Sequence, residues 1–144
     1  MASEPRDTAS WYLRMFSYLL MLCGLFGCIT GAIVIYQALA ESAQGTSSLS
    51  LGPLVLGAAA LAANGITAGA GVLGRISSRK PERLQALSTI AIAGIVATVL
   101  GLGLCYAVSD SLPTSLIFNL LLMSICVVIA SNLRKVVAQA SSNP

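Results

Sequence analysis

Apolar and polar positions along this chain form long blocks, and they do not alternate at the spacing of a half-buried helix or strand. Four apolar stretches, separated by short polar segments, are each near or above the roughly 20 residues that cross a bilayer core as a helix. We therefore expect four transmembrane helices, over residues 12–39, 53–74, 84–108 and 115–133. Residues 1–144 form a single transmembrane domain in this prediction.

The polar segments carry signals that start and end helices. Pro53 and Pro81 stand at predicted helix starts, where proline is tolerated because the first N–H groups of a helix have no partner within it. Residues 109–115 contain Pro113 and are rich in Ser, Asp and Thr, which cap helices. Short connections make successive helices antiparallel. The predicted fold is an all-α integral membrane four-helix bundle with antiparallel neighbours joined by short loops.

Composition favours the same class and removes several kinds of chemistry. The chain is 56% hydrophobic and 9% charged, whereas a soluble domain is about a quarter charged. Eight basic and five acidic side chains are too few to cover a globule of 144 residues in water. With no histidine, His-ligated zinc, His-ligated haem and Ser-His-Asp triads are excluded. We expect no catalytic residues, no metal site and no cofactor.

Charge predicts which membrane face holds the termini. The basic residues fall in the N-terminal segment, the second connection and the C-terminal flank: Arg6, Arg14, Arg75, Arg79, Lys80, Arg83, Arg134 and Lys135. The only charged residues in the other two connections are the acids Glu41 and Asp110. The positive-inside rule therefore places both termini in the cytoplasm (N-in/C-in). The Ala/Gly/Leu-rich composition and compact loops favour a bacterial inner membrane.

The basic residues also suggest a partner, the lipid bilayer itself. Candidates for binding anionic headgroups are Arg75, Arg79, Lys80, Arg83, Arg134 and Lys135, at about 1 kcal/mol per residue near the surface. Nucleic acid is not an expected partner, because recognition of it needs a larger, continuous basic face.

A cleaved signal peptide is the competing interpretation of the first apolar stretch. Ala38 and Ala40 have the small-x-small spacing of a cleavage site, and Arg6 and Arg14 supply a basic flank. Signal peptides have apolar regions of about 7 to 15 residues, whereas residues 15–36 reach spanning length. A retained helix is the preferred interpretation; cleavage would leave three spans and place the new N-terminus outside.

Small residues predict where the helices approach one another. In a bilayer, Gly and Ala let helix backbones come close where no hydrophobic force drives association. The candidates for packing and polar contact are Gly27, Gly31, Gly57, Asn64, Gly65, Gly69, Gly71, Gly94 and Gly101. The second and third spans have the most continuous small stripes, so we expect them to form the tightly packed centre. The bulkier first and fourth spans should contact more lipid.

Polar residues within the spans are neutral. No ionisable side chain lies near a predicted midplane, which argues against proton-coupled or voltage-sensing mechanisms. Asn64, central in the second span, either makes an interhelical hydrogen bond or serves as a neutral ligand to a translocated solute. The four cysteines, Cys23, Cys28, Cys105 and Cys126, are interpreted as small hydrophobes.

Two classes of function remain open after an intramembrane enzyme is disfavoured. The first is a non-enzymatic multi-pass membrane protein acting through helix–helix packing, as an accessory subunit, a scaffold or a homo-oligomer. Its partner is another membrane protein or a second copy. The alternative is a small transporter or channel for a neutral or small solute, assembled as an oligomer and lined by Asn64, Thr67 and Thr98.

Overall fold

The computed structural model describes residues 4–44, 51–109 and 113–142. These contain four long α-helices: α1, Glu4–Ala43; α2, Leu51–Ser77; α3, Leu84–Ser109; and α4, Thr114–Ser142. All four are long and apolar enough to cross a membrane. The prediction of an all-α chain of four helices of spanning length is confirmed. Asp110 and residues 45–50 of the first connection lie outside the described residues.

The helix boundaries follow from local sequence. Pro53 lies in the first turn of α2, where its missing N–H removes no intrahelical bond. Backbone bonds from Arg79 N and Lys80 N to Ile76 O, both 3.1 Å, close the end of α2. A short 3₁₀ turn, Pro81–Arg83, then leads into α3. Pro113 O accepts a bond from Leu116 N at 3.0 Å and so starts α4.

The helices run up, down, up and down, and each contacts its neighbours in chain order. One end of the bundle holds the start of α1, the turn between α2 and α3, and the end of α4; we call it the basic end. The main apolar cluster lies in this half and draws on all four helices: Leu13, Leu20, Ala70, Leu84, Leu87, Ala91, Leu122, Met123, Cys126, Ala130 and Leu133. Ala63, Cys105 and Leu116 form a smaller cluster in the other half, without α1.

The prediction that the second and third helices form the tightest pair is wrong. The most extensive contact joins α1 to α2, because the glycines of α1 face the small stripe of α2. A Cβ added at Gly24 would lie 2.5 Å from Ala68 N and 2.8 Å from Asn64 O. Backbone therefore meets backbone at this crossing, which only glycine allows.

The small stripe of α3 has a different partner. Gly94 receives the end of the Met123 side chain from α4, and Gly101 lies against Leu116 of α4 and Ala59 of α2. Bulky side chains of α4 thus fill the space that small residues leave on α3. As a result α4 has the largest buried share of the four helices in its most apolar stretch, and α1 the smallest. The prediction that the first and fourth helices are more exposed than the other two is therefore wrong for α4 and confirmed for α1.

Candidate functional site

The buried polar side chains in the middle of the bundle join three helices. The Thr67 hydroxyl of α2 donates to Asn119 Oδ1 of α4, and Asn119 Nδ2 donates to Thr98 Oγ1 of α3 at 3.4 Å. Thr98 Oγ1 in turn donates to Gly94 O at 2.7 Å. These three side chains are at most 2% exposed. Their bonds give each of these polar atoms a partner where solvent is absent, as buried polar groups require.

Asn64 lies beside this cluster but turns toward α1. Its side chain is 5% exposed, and Asn64 Nδ2 donates to Ala60 O at 2.7 Å, one turn back in the same helix. A Cβ added at Gly27 of α1 would overlap the Asn64 carboxamide. Gly27 therefore makes the space that the carboxamide occupies. The bond of Asn64 stays within α2. The interhelical hydrogen bonds are made by Thr67, Asn119 and Thr98, and by Cys28 Sγ of α1, which donates to Leu61 O of α2 at 3.9 Å.

A groove opens beside Asn64 between α1 and α4, and we call it the α1/α4 groove. It has a volume of about 290 Å³. Its lining combines polar groups from α2 and α4 with apolar and aromatic groups: Cys23, Phe26, Gly27, Thr30, Asn64, Ser115, Phe118, Asn119 and Leu122. The groove forms because α1 takes no part in the apolar cluster of that half of the bundle.

The remaining candidate packing glycines separate into two groups. Gly31, Gly57 and Gly71 lie in the α1–α2 contact with Gly27, and a Cβ on any of the three would meet backbone or side-chain atoms within about 3 Å. In the described part of the chain, a Cβ on Gly65 or Gly69 would meet nothing within 4 Å. These two glycines face outward, on the side of α2 away from α1.

The basic residues form two separate groups at the basic end. Arg75, Arg79 and Lys80 line a groove of about 380 Å³ whose floor is apolar, and the Arg75 guanidinium lies 5.4 Å from the ring centre of Tyr18. Arg134 and Lys135 line a second groove of about 340 Å³ on α4. Arg83 is exposed and lines neither of these two grooves.

The sequence indicated Asn64 but not its surroundings. Thr30, Ser115 and Phe118 reach the same groove from two other helices, and nothing in their local sequence distinguishes them from other residues of a span. Gly74 was also missed as a contact residue; a Cβ there would overlap the Ser17 hydroxyl. The signal that identifies it is its position three residues after Gly71, which places both glycines toward α1.

Fold and site together define a class: an all-α chain of four helices, each of membrane-spanning length and apolarity, around a small polar core. Compared with protein-family models, curated proteins and solved structures, the chain matches none of them. Function is therefore inferred from the chain's own surfaces.

Proposed function

We propose that this protein is a non-enzymatic multi-pass membrane protein that acts through helix–helix contact, using the outward face of α2. In this proposal the four helices span the membrane, a bacterial inner membrane, with both termini in the cytoplasm. The distribution of basic residues supports the orientation, and the short, compact loops support the choice of membrane.

The observation that carries the proposal is the pair of uncontacted glycines on α2. Gly24, Gly27, Gly57, Gly71 and Gly94 all lie where a Cβ would collide with a neighbouring helix, so each has a packing reason. Gly65, Gly69 and Gly103 of α3 make no such contact within the described structure, but Gly65 and Gly69 lie one turn apart on a single helix face. A glycine costs about 1 kcal/mol relative to alanine inside a helix. Contact with a helix outside this bundle would explain why glycine occupies positions 65 and 69.

The two glycines belong to a continuous small surface. Ala58, Ala62, Gly65, Gly69 and Val72 are all exposed and follow one another at intervals of three and four residues, so they share one helix face. We call this face the α2 outer stripe. Beside it, between α2 and α3, runs an apolar groove of about 590 Å³ that Gly69 and Val72 help to line. A flat strip next to a groove suits the close approach of another helix.

A second copy of this chain is the occupant we propose. Close crossing requires small residues on both helices, and a two-fold contact supplies them from one sequence. Two copies in the same membrane orientation place their α2 helices side by side. The crossing angle of about −40° that is common for Gly-x-x-x-Gly pairs separates the helix ends. The basic residues Arg75 and Arg79 then diverge from their counterparts.

Cysteine cross-linking in native membranes tests this contact. In a variant without the native cysteines, Ala62→Cys and Gly69→Cys should each give a dimer on oxidation, because both positions lie on the α2 outer stripe. Leu100→Cys is the matched control, since Leu100 is 63% exposed on α3 and should not cross-link. Equal cross-linking at all three positions, or none at Ala62 and Gly69, would contradict the proposal. Adducts only with other proteins would favour an accessory subunit over a homo-oligomer.

The transporter alternative has less support from the arrangement of the polar residues. Thr67 and Thr98, two of its three expected lining residues, are completely buried and bonded to Asn119. A path lined by them would require α2, α3 and α4 to separate. Flux of a neutral solute in liposomes that Asn64→Leu abolishes, with folding unchanged, would favour this alternative.

A further inference from the structure

The α1/α4 groove contains a polar atom that the protein itself does not satisfy. Asn64 uses Nδ2 for its bond to Ala60 O, and Asn64 Oδ1 accepts no hydrogen bond from any described residue. Every fully buried side-chain N or O atom of the described residues has a partner. Asn64 Oδ1 is therefore open to the groove that its residue lines, although the residue as a whole is 95% buried, being 5% exposed.

A second polar group reaches the same space. The Ser115 side chain, exposed at the start of α4, lines the groove and donates no hydrogen bond within the described structure. Asn119 lines it as well and has one amide hydrogen beyond the one directed at Thr98. The groove is therefore lined by an acceptor on α2, Asn64 Oδ1, and by donors on α4.

The position of the groove in the membrane and the charge of its lining residues restrict the ligands it can bind. Asn64 lies thirteen residues from each end of α2, Leu51 and Ser77, or about 20 Å along the helix axis. If α2 spans the membrane as proposed above, Asn64 lies within the bilayer, at the level of the first turn of α4. The described residues that line the groove include no charged side chain. A charged headgroup would lose its hydration there without gaining a counter-charge, so the ligand group is neutral.

The aromatic residues that line the groove favour a ligand whose larger part is apolar. Phe26 of α1 and Phe118 of α4 line the groove and are 66% and 56% exposed, so their rings are accessible for contact with an apolar molecule from the surrounding lipid. A hydroxyl is the smallest neutral group that both donates to Asn64 Oδ1 and accepts from a donor on α4. We propose that the α1/α4 groove binds a neutral membrane-soluble alcohol, of the long-chain or isoprenoid class, through its hydroxyl at Asn64.

Photolabelling of the full-length protein in lipid nanodiscs tests this site. The probe is a long-chain primary alcohol with a diazirine in its chain, and the competitors are the unlabelled alcohol and its methyl ether. The ether cannot donate a hydrogen bond and otherwise has nearly the same shape. We expect labelled peptides from residues 23–30 and 115–122, and competition at least fivefold stronger with the alcohol than with the ether.

Two variants test the role of Asn64 directly. Asn64→Leu keeps the shape of the side chain but removes the acceptor, and it should lower labelling of the groove at least fivefold. Asn132→Leu is the matched control, because Asn132 is exposed on α4 away from the groove, and it should leave labelling unchanged. The comparison of alcohol with ether in the unaltered protein needs no variant, so it holds even if Asn64→Leu fails to fold.

The opposite results would overturn the site. They are labelling spread evenly over all four helices, equal competition by alcohol and ether, or unchanged labelling in a folded Asn64→Leu protein. The result is also separable from the proposed helix contact. If only the helix-contact proposal is wrong, cross-linking at the α2 outer stripe is absent while labelling of the groove persists.

Discussion

At the scale of single residues, the bundle depends on glycines placed opposite particular partners. Gly27 and Asn64 fit together because one lacks the side-chain atoms that would overlap the other. The sequence indicated both residues, since each stands out within its span. It did not indicate that they touch, because a small-residue pattern shows that a helix can be approached closely but not which neighbour approaches it.

Gly27→Ala should destabilise the protein through the overlap of the new Cβ with the Asn64 carboxamide. We expect a loss of about 1–3 kcal/mol in the free energy of unfolding in detergent, as for other overpacked sites. Gly65→Ala is the control and should be neutral or stabilising, because its Cβ enters open space. Asn64→Ala should restore part of the stability to Gly27→Ala. Equal effects of Gly27→Ala and Gly65→Ala would contradict the α1–α2 contact.

The hydrogen bond between Thr67 of α2 and Asn119 of α4 leads to a second prediction for single residues. Thr67→Val keeps the side-chain shape but leaves Asn119 Oδ1 without its donor. We expect a cost of about 1–3 kcal/mol, and a coupling of roughly 0.6 to 1.7 kcal/mol with Asn119→Leu in a double-mutant cycle. Ser124→Ala, which removes an exposed hydroxyl bonded within its own helix, should change unfolding by less than about 0.5 kcal/mol. A coupling near zero would show that Thr67 and Asn119 do not interact.

At the scale of the helices, number and type could be predicted because apolar length alone determines them. Apolar runs bounded by proline and cap residues are enough to indicate four helices. Neighbour choice could not be predicted, because α1, α2 and α3 all carry small stripes. Gly24 and Gly31 of α1 meet backbone of α2 and Gly27 meets the Asn64 side chain, whereas the stripe of α3 accommodates Met123 and Leu116 of α4.

The register of α1 against α2 is testable by a disulfide. A Cβ at Gly57 would lie 2.5 Å from Ile35 Cγ1, close to where the sulfur of a cysteine at position 35 would stand. The pair Ile35→Cys with Gly57→Cys, in a background without the native cysteines, should form an intramolecular disulfide. Ile33→Cys with Gly57→Cys should not, since Ile33 is exposed on another face of α1. Oxidation of both pairs to the same extent would contradict this register.

At the scale of the whole molecule, basic residues are concentrated at one end of the bundle. Arg75, Arg79, Lys80, Arg134 and Lys135 all lie at the basic end of the bundle. We expect a reporter fused after residue 144 to be active only in a cytoplasmic assay. A fusion in the first connection, residues 45–50, should be active only on the other side of the membrane. The reverse pattern would overturn the orientation, and a C-terminal reporter inside with the first connection also inside would contradict four spans.

Self-association through α2 can be tested by counting subunits in native-like membranes. Single-molecule photobleaching of the fluorescently labelled protein should show two copies per spot. The double variant Gly65→Leu and Gly69→Leu fills the α2 outer stripe, and its new Cβ atoms lie in open space, so it should remain folded and show one copy. Gly103→Leu is the control, because its new Cβ also lies in open space, on α3, and it should still show two copies. A single copy per spot for the unaltered protein, or two copies for the Gly65→Leu and Gly69→Leu variant, would show that the α2 outer stripe does not join two copies.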